Sequence, residues 1–257
     1  MNGFEERIVS LDVSLVNAVS TATTPGDRKS LLLLQRCRRR SGEYVYLEIG
    51  SHLGGTIQQH LVDSRCRAIY SVDKRTPVQP DELRGTDRYP GNSTARMLAG
   101  LREALPDSQM EKIKTFDCDA SGICEGSISA RPDFCFIDGE HTNRAVLSDF
   151  MFCLSICQSD GNIALHDANI IYGGLARIKR ALGKRNWKGY VLQDNIYAFL
   201  LNDAITNFGA KLHEVSRAEL LYMLVARLRM FKTALGVRYP HLRSIWYANE
   251  KVVRERE

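Results

Sequence analysis

Five short apolar segments constrain what this chain can fold into more than any other feature. They span residues 44–50, 67–73, 112–116, 133–138 and 162–167, and most close on glycine, aspartate or histidine. Stretches with helical spacing lie between them, at 56–62, 94–105, 143–157 and 174–182. Strands alternating with helices predict a parallel sheet covered on both faces, and near-continuous apolar strands agree with burial on both sides. Residues 190–192 and 196–201, separated by Gln193-Asp194-Asn195, read as a closing antiparallel pair. The expected fold is therefore a doubly wound, mostly parallel α/β sheet with helical extensions at both ends.

Three regions follow from this pattern: an N-terminal helical extension (1–41), a central sheet domain (42–202) and a basic helical C-terminal extension (203–257). Phe4, Ile8, Leu11, Leu15 and Val19 form one apolar helical stripe. Thr24-Pro25-Gly26-Asp27 breaks it, and a second helix over 28–37 runs into Arg36, Arg38, Arg39 and Arg40. Positive charge suits a helix C-terminus, so this cluster is expected to be solvated. Near the other end, Ser216-Arg217-Ala218-Glu219 reads as a capping box. It opens a helix carrying Leu220, Leu221, Leu224, Leu228 and Phe231, with Gly236 expected to end it.

The length of 257 residues suits one domain with appendages, and 44% hydrophobic with 25% charged residues excludes fibrous and disordered classes. The net charge of +5 is confined to residues 217–257, which hold nine Lys/Arg against four Asp/Glu. A neutral body argues against a protein that wraps nucleic acid. None of the seven cysteines forms a C-x-x-C pair, so no zinc knuckle or disulfide scaffold is indicated. Acidic residues near the start argue against a signal peptide, and no apolar run reaches membrane-span length. A cytoplasmic protein is expected.

In open α/β sheets ligands sit at the carboxyl ends of the strands. After the first strand comes Glu48-Ile49-Gly50-Ser51-His52-Leu53-Gly54. Its glycines allow a tight turn and close backbone approach to a ligand, but the spacing is neither the dinucleotide fingerprint nor a P-loop. The second strand ends in Asp73, an acceptor suited to ribose hydroxyls. The fourth delivers Asp138-Gly139-Glu140-His141 and the fifth His166-Asp167. Asp138, His166 and Asp167 supply three ligands for a divalent ion with positions left open.

Glu48-x-Gly50-x-x-x-Gly54 followed by Asp73 resembles the class I S-adenosylmethionine-dependent methyltransferases. The resemblance implies that Glu48, Gly50, Ser51 and Gly54 cradle the amino-acid part of the cofactor. It places Asp73 on the ribose, Asp119 and Ala120 near the adenine, and Asp138 beside the cofactor. Ile137-Asp138-Gly139-Glu140-His141, then a helix, then a strand ending in His166-Asp167, looks like one branch of that family. The branch contains cephalosporin-hydroxylase-like proteins and macrocin-type O-methyltransferases, and the likeness covers roughly residues 44–202. It implies a magnesium-type centre at Asp138, His166 and Asp167, and a base at Glu140. Those enzymes carry two acidic residues where this chain has His166-Asp167. Imidazole suits magnesium less well than carboxylate, so His166 is either ligand or base, and His141 is a further candidate base. The expected activity is methyl transfer to a hydroxyl of a small molecule such as a sugar or natural product. Homo-oligomers through the terminal helices are expected. A nucleic-acid methyltransferase using the basic tail and a non-catalytic binding protein on the same fold are the alternatives.

Overall fold

In the computed structural model, residues 3–39, 42–124 and 126–238 are described. Arg40, Trp246, Tyr247 and the charged tail therefore lie outside the described residues. The strands are β1 (Tyr44–Ile49), β2 (Cys66–Val72), β3 (Val78–Asp81), β4 (Gly85–Arg88), β5 (Ile113–Phe116), β6 (Phe134–Ile137), β7 (Asn162–Leu165), β8 (Trp187–Val191) and β9 (Tyr197–Leu201). The main sheet has the order β5-β2-β1-β6-β7-β9-β8. Its first five strands run parallel, and β9 is antiparallel to both β7 and β8. This is the expected doubly wound sheet with its closing antiparallel pair. Strands β1, β6 and β7 are buried along their whole length because helices cover both faces.

The helices are α1 (Gly3–Val9), α2 (Pro25–Arg39), α3 (Gln58–Leu61), α4 (Thr94–Ala104), α5 (Asn143–Ile156), α6 (Tyr172–Leu182), α7 (Asp203–Val215) and α8 (Glu219–Arg238). Helix α2 packs Leu31, Leu33 and Leu34 into the core on one face of the sheet. From the other end of the chain, α7 adds Phe208 and Leu212 to the same cluster. Helices α2 and α7, from the regions flanking the sheet, thus share its core.

Four expectations are corrected here. The N-terminal stripe is not one helix: α1 stops at Val9, Leu11 takes a φ of 55°, and a short 3-10 turn covers Val13–Val16. The arginines ending α2 are not all solvated. Arg38 is 2% exposed and donates to the Asp133 carbonyl and the Asn162 side chain. Arg39 is bound by Glu5 and Asp63. They tie the helix end to strand ends far away in sequence, a use of charge that local pattern does not show. Ser216 does not open α8; its hydroxyl donates to the His213 carbonyl and closes α7 instead. Glu219 accepts from the Tyr197 hydroxyl. Gly236 does not end α8, which runs on to Arg238.

The hairpin formed by β3 and β4 went unpredicted, because Val78-Gln79-Pro80-Asp81 lacks an apolar alternation. It lies beside the sheet's carboxyl edge, where an isolated bridge joins Asp81 to His141. Among the described residues no helix is long and apolar enough to cross a membrane.

Candidate active site

The sheet order reverses between β1 and β6, since β1 leads outward to β2 on one side while β6 and β7 lie on the other. Loops leaving these strands separate at that point, and a cleft opens at their carboxyl ends. Its wall includes Gly50, Asp73, Lys74, Asp119, Ala120, Gly139, Glu140 and Asp149. Gly50 is required by close approach. It has φ of 91°, and a Cβ there would overlap the backbone carbonyl of Asp138. The glycine thereby lets the turn after β1 lie against the turn after β6, so both reach the cleft.

Asp73 is buried, and its carboxylate is organised by protein donors. It accepts from the backbone N–H of His52 at 2.8 Å, that of Arg75 at 2.7 Å and the Asn92 amide at 3.1 Å. It therefore holds the Gly loop and the β2 turn together as well as facing the cleft. Lys74 donates to Glu140 at 2.6 Å across the cleft wall. Glu140 also accepts from the Thr142 hydroxyl at 2.8 Å, so its carboxylate is doubly committed. Asp149, on the inner face of α5, was missed by sequence reasoning. Burial together with the charges of Asp119 and Glu140 pushes its carboxyl up to about 7, against the pull of Lys74. Four carboxylates against one lysine suit a ligand carrying positive charge and hydroxyl groups.

Glu48, Ser51 and Gly54 are not in the cleft wall. Gly54 packs on Met97 and Leu101. The Ser51 hydroxyl is buried with no hydrogen-bond partner, beside Gly50. Glu48 is fully buried and accepts from the Tyr46 and Thr56 hydroxyls, each at 2.6 Å. Burial pushes its carboxyl up to about 8; those two hydroxyls oppose the rise, and the charges of Asp138 and Asp73 add to it. The neutral form is thus favoured by folding. Its contribution to stability is full below the unfolded value near 4.5 and is lost as pH rises towards 8. Glu48→Gln is expected to flatten the fall of the urea midpoint between pH 5 and 8. A variant whose midpoint falls as steeply as that of the parent would overturn this.

Next to the cleft, on the far side of Gly139, four groups from β6, the start of α5 and β7 face one another. His166 Nδ1 lies 2.9 Å from Asp138 Oδ1 and 3.5 Å from Asp167 Oδ2. His141 Nε2 lies 3.7 Å from Asp138 Oδ1 and 3.5 Å from Asp167 Oδ2. Local structure explains the convergence. The His166 N–H donates to the Ile137 carbonyl, keeping β7 in step with β6. Thr142 caps α5 by accepting from Ala145 N–H, which sets His141 just before the helix. Asp167 has φ of 48°, a rare conformation for a non-glycine residue and one that clusters at functional sites.

Two buried carboxylates outside this cluster hold its histidines, and neither was legible as a site residue. Asp81 Oδ2, from the β3–β4 hairpin, is 3.1 Å from His141 Nδ1, and Asp27 Oδ2, from α2, is 3.1 Å from His166 Nε2. Burial works against charge on His141, but Asp138, Asp167 and Asp81 outweigh it and raise its value to about 9. His166 is raised in the same way by Asp138, Asp167 and Asp27 against its own burial. Burial would raise Asp138, yet the two imidazoles hold it far below the usual carboxylate range.

The sequence-predicted residues therefore separate. Gly50, Asp73, Asp119, Ala120 and Glu140 line the cleft, while Asp138, His141, His166 and Asp167 form the polar cluster beside it.

The reversed strand order, the glycine turn and the acidic cleft at the switch point define a doubly wound ligand-binding α/β domain. Residues 47–168 match the family model described as a methyltransferase domain. Over that stretch the chain is similar to a methyltransferase domain. No curated protein matches it. Solved structures with similar folds include an O-methyltransferase from Bacillus cereus in complex with S-adenosylhomocysteine, at 13% identity and a TM-score of 0.49, covering 79% of this chain and 92% of that one. Another is the O-methyltransferase TomG from Streptomyces achromogenes, at 13% identity and a TM-score of 0.46, covering 79% and 91%. An rRNA methylase from Streptococcus thermophilus matches at 9% identity and a TM-score of 0.48, covering 71% and 98%.

The residues present fit the family's cofactor. It carries a sulfonium and an ammonium, for which the cleft offers carboxylates, and ribose hydroxyls, for which Asp73 in the cleft wall is the candidate acceptor. Magnesium does not fit as well. It demands oxygen donors, and two of the four groups facing one another are imidazole nitrogens.

Proposed function

We propose that the protein methylates a hydroxyl of a small molecule such as a sugar or natural product. The observation that carries this reading is the cluster of Asp138, His141, His166 and Asp167, in which Asp138 immediately precedes the cleft-lining Gly139 and Glu140. S-adenosylmethionine supplies a methyl group on a positively charged sulfur. The acceptor oxygen attacks that carbon, the carbon–sulfur bond breaks, and the hydroxyl proton passes to the cluster. The facing imidazoles and carboxylates are suited to hold the hydroxyl, and an imidazole in its neutral form can receive the proton. Glu140 is unsuited to that task, because Lys74 and Thr142 occupy its oxygens; it belongs to cofactor binding. Gly50, Ser51, Asp73, Asp119 and Ala120 complete the cofactor site.

The neutral body favours a small acceptor over a nucleic acid. Leu220, Leu221, Leu224, Leu228 and Phe231 of α8 are exposed, which supports self-association through this helix.

Calorimetry with S-adenosylmethionine and a methyl-transfer assay on a panel of hydroxylated acceptors test the reading together. Binding of the cofactor and transfer to a hydroxyl are expected. Asp73→Ala is expected to weaken cofactor binding by about tenfold or more, the loss of roughly one charge-assisted hydrogen bond. Unchanged affinity would remove Asp73 from the cofactor site. Transfer to RNA but to no small hydroxyl would overturn the acceptor class.

A further inference from the structure

We propose that Asp138, His141 and His166 bind one transition-metal ion of the Mn2+, Fe2+ and Zn2+ class rather than magnesium. The inference rests on the reading of this cluster as the acceptor's site and specifies the ion that site takes. One carboxylate oxygen and two imidazole nitrogens lie within 4.8 Å of one another. His141 is 9% exposed and His166 8%. His141 Nε2 and His166 Nδ1 both face the cluster within ion-pair distance of Asp138 and Asp167, yet neither is aligned for a hydrogen bond. Close nitrogens and oxygens without hydrogen-bond alignment are what an ion between them would require.

The opposite nitrogen of each ring carries the second argument. Asp81 holds His141 Nδ1 and Asp27 holds His166 Nε2. A ligating histidine characteristically gives its other ring N–H to a carboxylate, which fixes the tautomer and turns the free nitrogen to the metal. Here two histidines on different elements are treated alike, by carboxylates from two further elements. Asp81 is itself fixed by the backbone N–H groups of Leu83 and Arg84, and Asp27 by those of Thr24 and Asn195. Two histidines and one carboxylate suit transition metals with open positions, whereas magnesium selects oxygen. Asp167 Oδ2 lies 3.5 Å from both facing nitrogens and adds a second carboxylate beside the three ligands.

The test uses the full chain, stripped with chelator and titrated with Co2+, Zn2+ or Mg2+ alone. Bound metal is followed by equilibrium dialysis and Co2+ also by its visible ligand-field bands. One equivalent of Co2+ or Zn2+ is expected, undisturbed by a large excess of Mg2+. His141→Ala and His166→Ala are each expected to abolish the Co2+ bands. Asp27→Asn leaves the three ligand atoms in place, reaching the cluster only through the outer nitrogen of His166, and is expected to weaken Co2+ binding by about 10–100-fold. Should the alanine variants fail to fold, Asp27→Asn and the parent spectrum decide. Mg2+ competing on equal terms, or Co2+ affinity unaltered by all three substitutions, would overturn the proposal. Methyl transfer that runs at full rate in chelator while no ion binds sinks the metal and leaves the function standing. One tightly bound ion in a protein that methylates no hydroxyl does the reverse.

Discussion

Asp138→Asn is expected to lower kcat for methyl transfer by roughly 10²–10⁴-fold, the range spanned by positioned acid–base groups. Asn keeps the size of the side chain and removes its charge. Asp138 lies closest to His166, at 2.9 Å, and also faces His141 at 3.7 Å. Without that charge the cluster loses the carboxylate that both imidazoles share, and the acceptor hydroxyl loses a partner. The sheet is expected to survive, because Asp138 anchors its strand end through its backbone N–H to the Ile49 carbonyl rather than through its side chain. The measurement pairs single-turnover rates with far-ultraviolet circular dichroism and cofactor affinity. A folded, cofactor-binding variant with the parent's rate would remove Asp138 from the chemistry.

Gly50→Ala is expected to cause a large loss of stability, because among the described glycines Gly50 alone combines a positive φ with overlapping backbone atoms. The positive φ of 91° alone costs an L-residue roughly 1–2 kcal/mol. The added Cβ would also overlap the Asp138 carbonyl and the Gly139 nitrogen, which are backbone atoms and cannot rotate aside. Strands β1 and β6 must then part where they pair Ile49 with Ile137. Urea unfolding is expected to show a loss of more than about 2 kcal/mol, and the folded fraction to bind cofactor poorly, since Gly50 and Gly139 share the cleft wall. Gly42→Ala is the control: it also has positive φ but meets nothing within 4 Å. Equal losses in the two variants would show that strain, and not the contact, sets the effect.

Much of the fold was legible because it follows from short-range pattern. The apolar runs at 44–50, 133–138 and 162–167 became β1, β6 and β7, buried on both faces, and the pair at 190–201 closed the sheet antiparallel. The polar residues after each run fell at the carboxyl edge because a parallel sheet places all those ends together. Failures fell where partners are distant. Arg38 and Arg39 read as a solvated helix end, yet they bind Asp160, Asn162, Glu5 and Asp63, residues that local spacing does not connect with them. The β3–β4 hairpin carries no periodicity, since its strands are four residues each and largely exposed.

The candidate site divides in the same way. Residue type and strand-end position alone singled out Gly50, Asp73, Asp138, His141, His166 and Asp167. Sequence could not show which of them face the cleft and which face one another, because that depends on how the turns after β1, β6 and β7 pack. Nor could it show Asp27 and Asp81, which stand 139 and 60 residues from the histidines they hold. In the chain Asp27 is a residue of a Pro-Gly turn and Asp81 one of a polar stretch. By itself, then, the sequence determined the doubly wound sheet and the edge where chemistry collects, because hydrophobic periodicity acts locally. Only the tertiary structure decided how the two histidines are oriented, because that orientation comes from buried carboxylates on elements that meet them nowhere but in the folded protein.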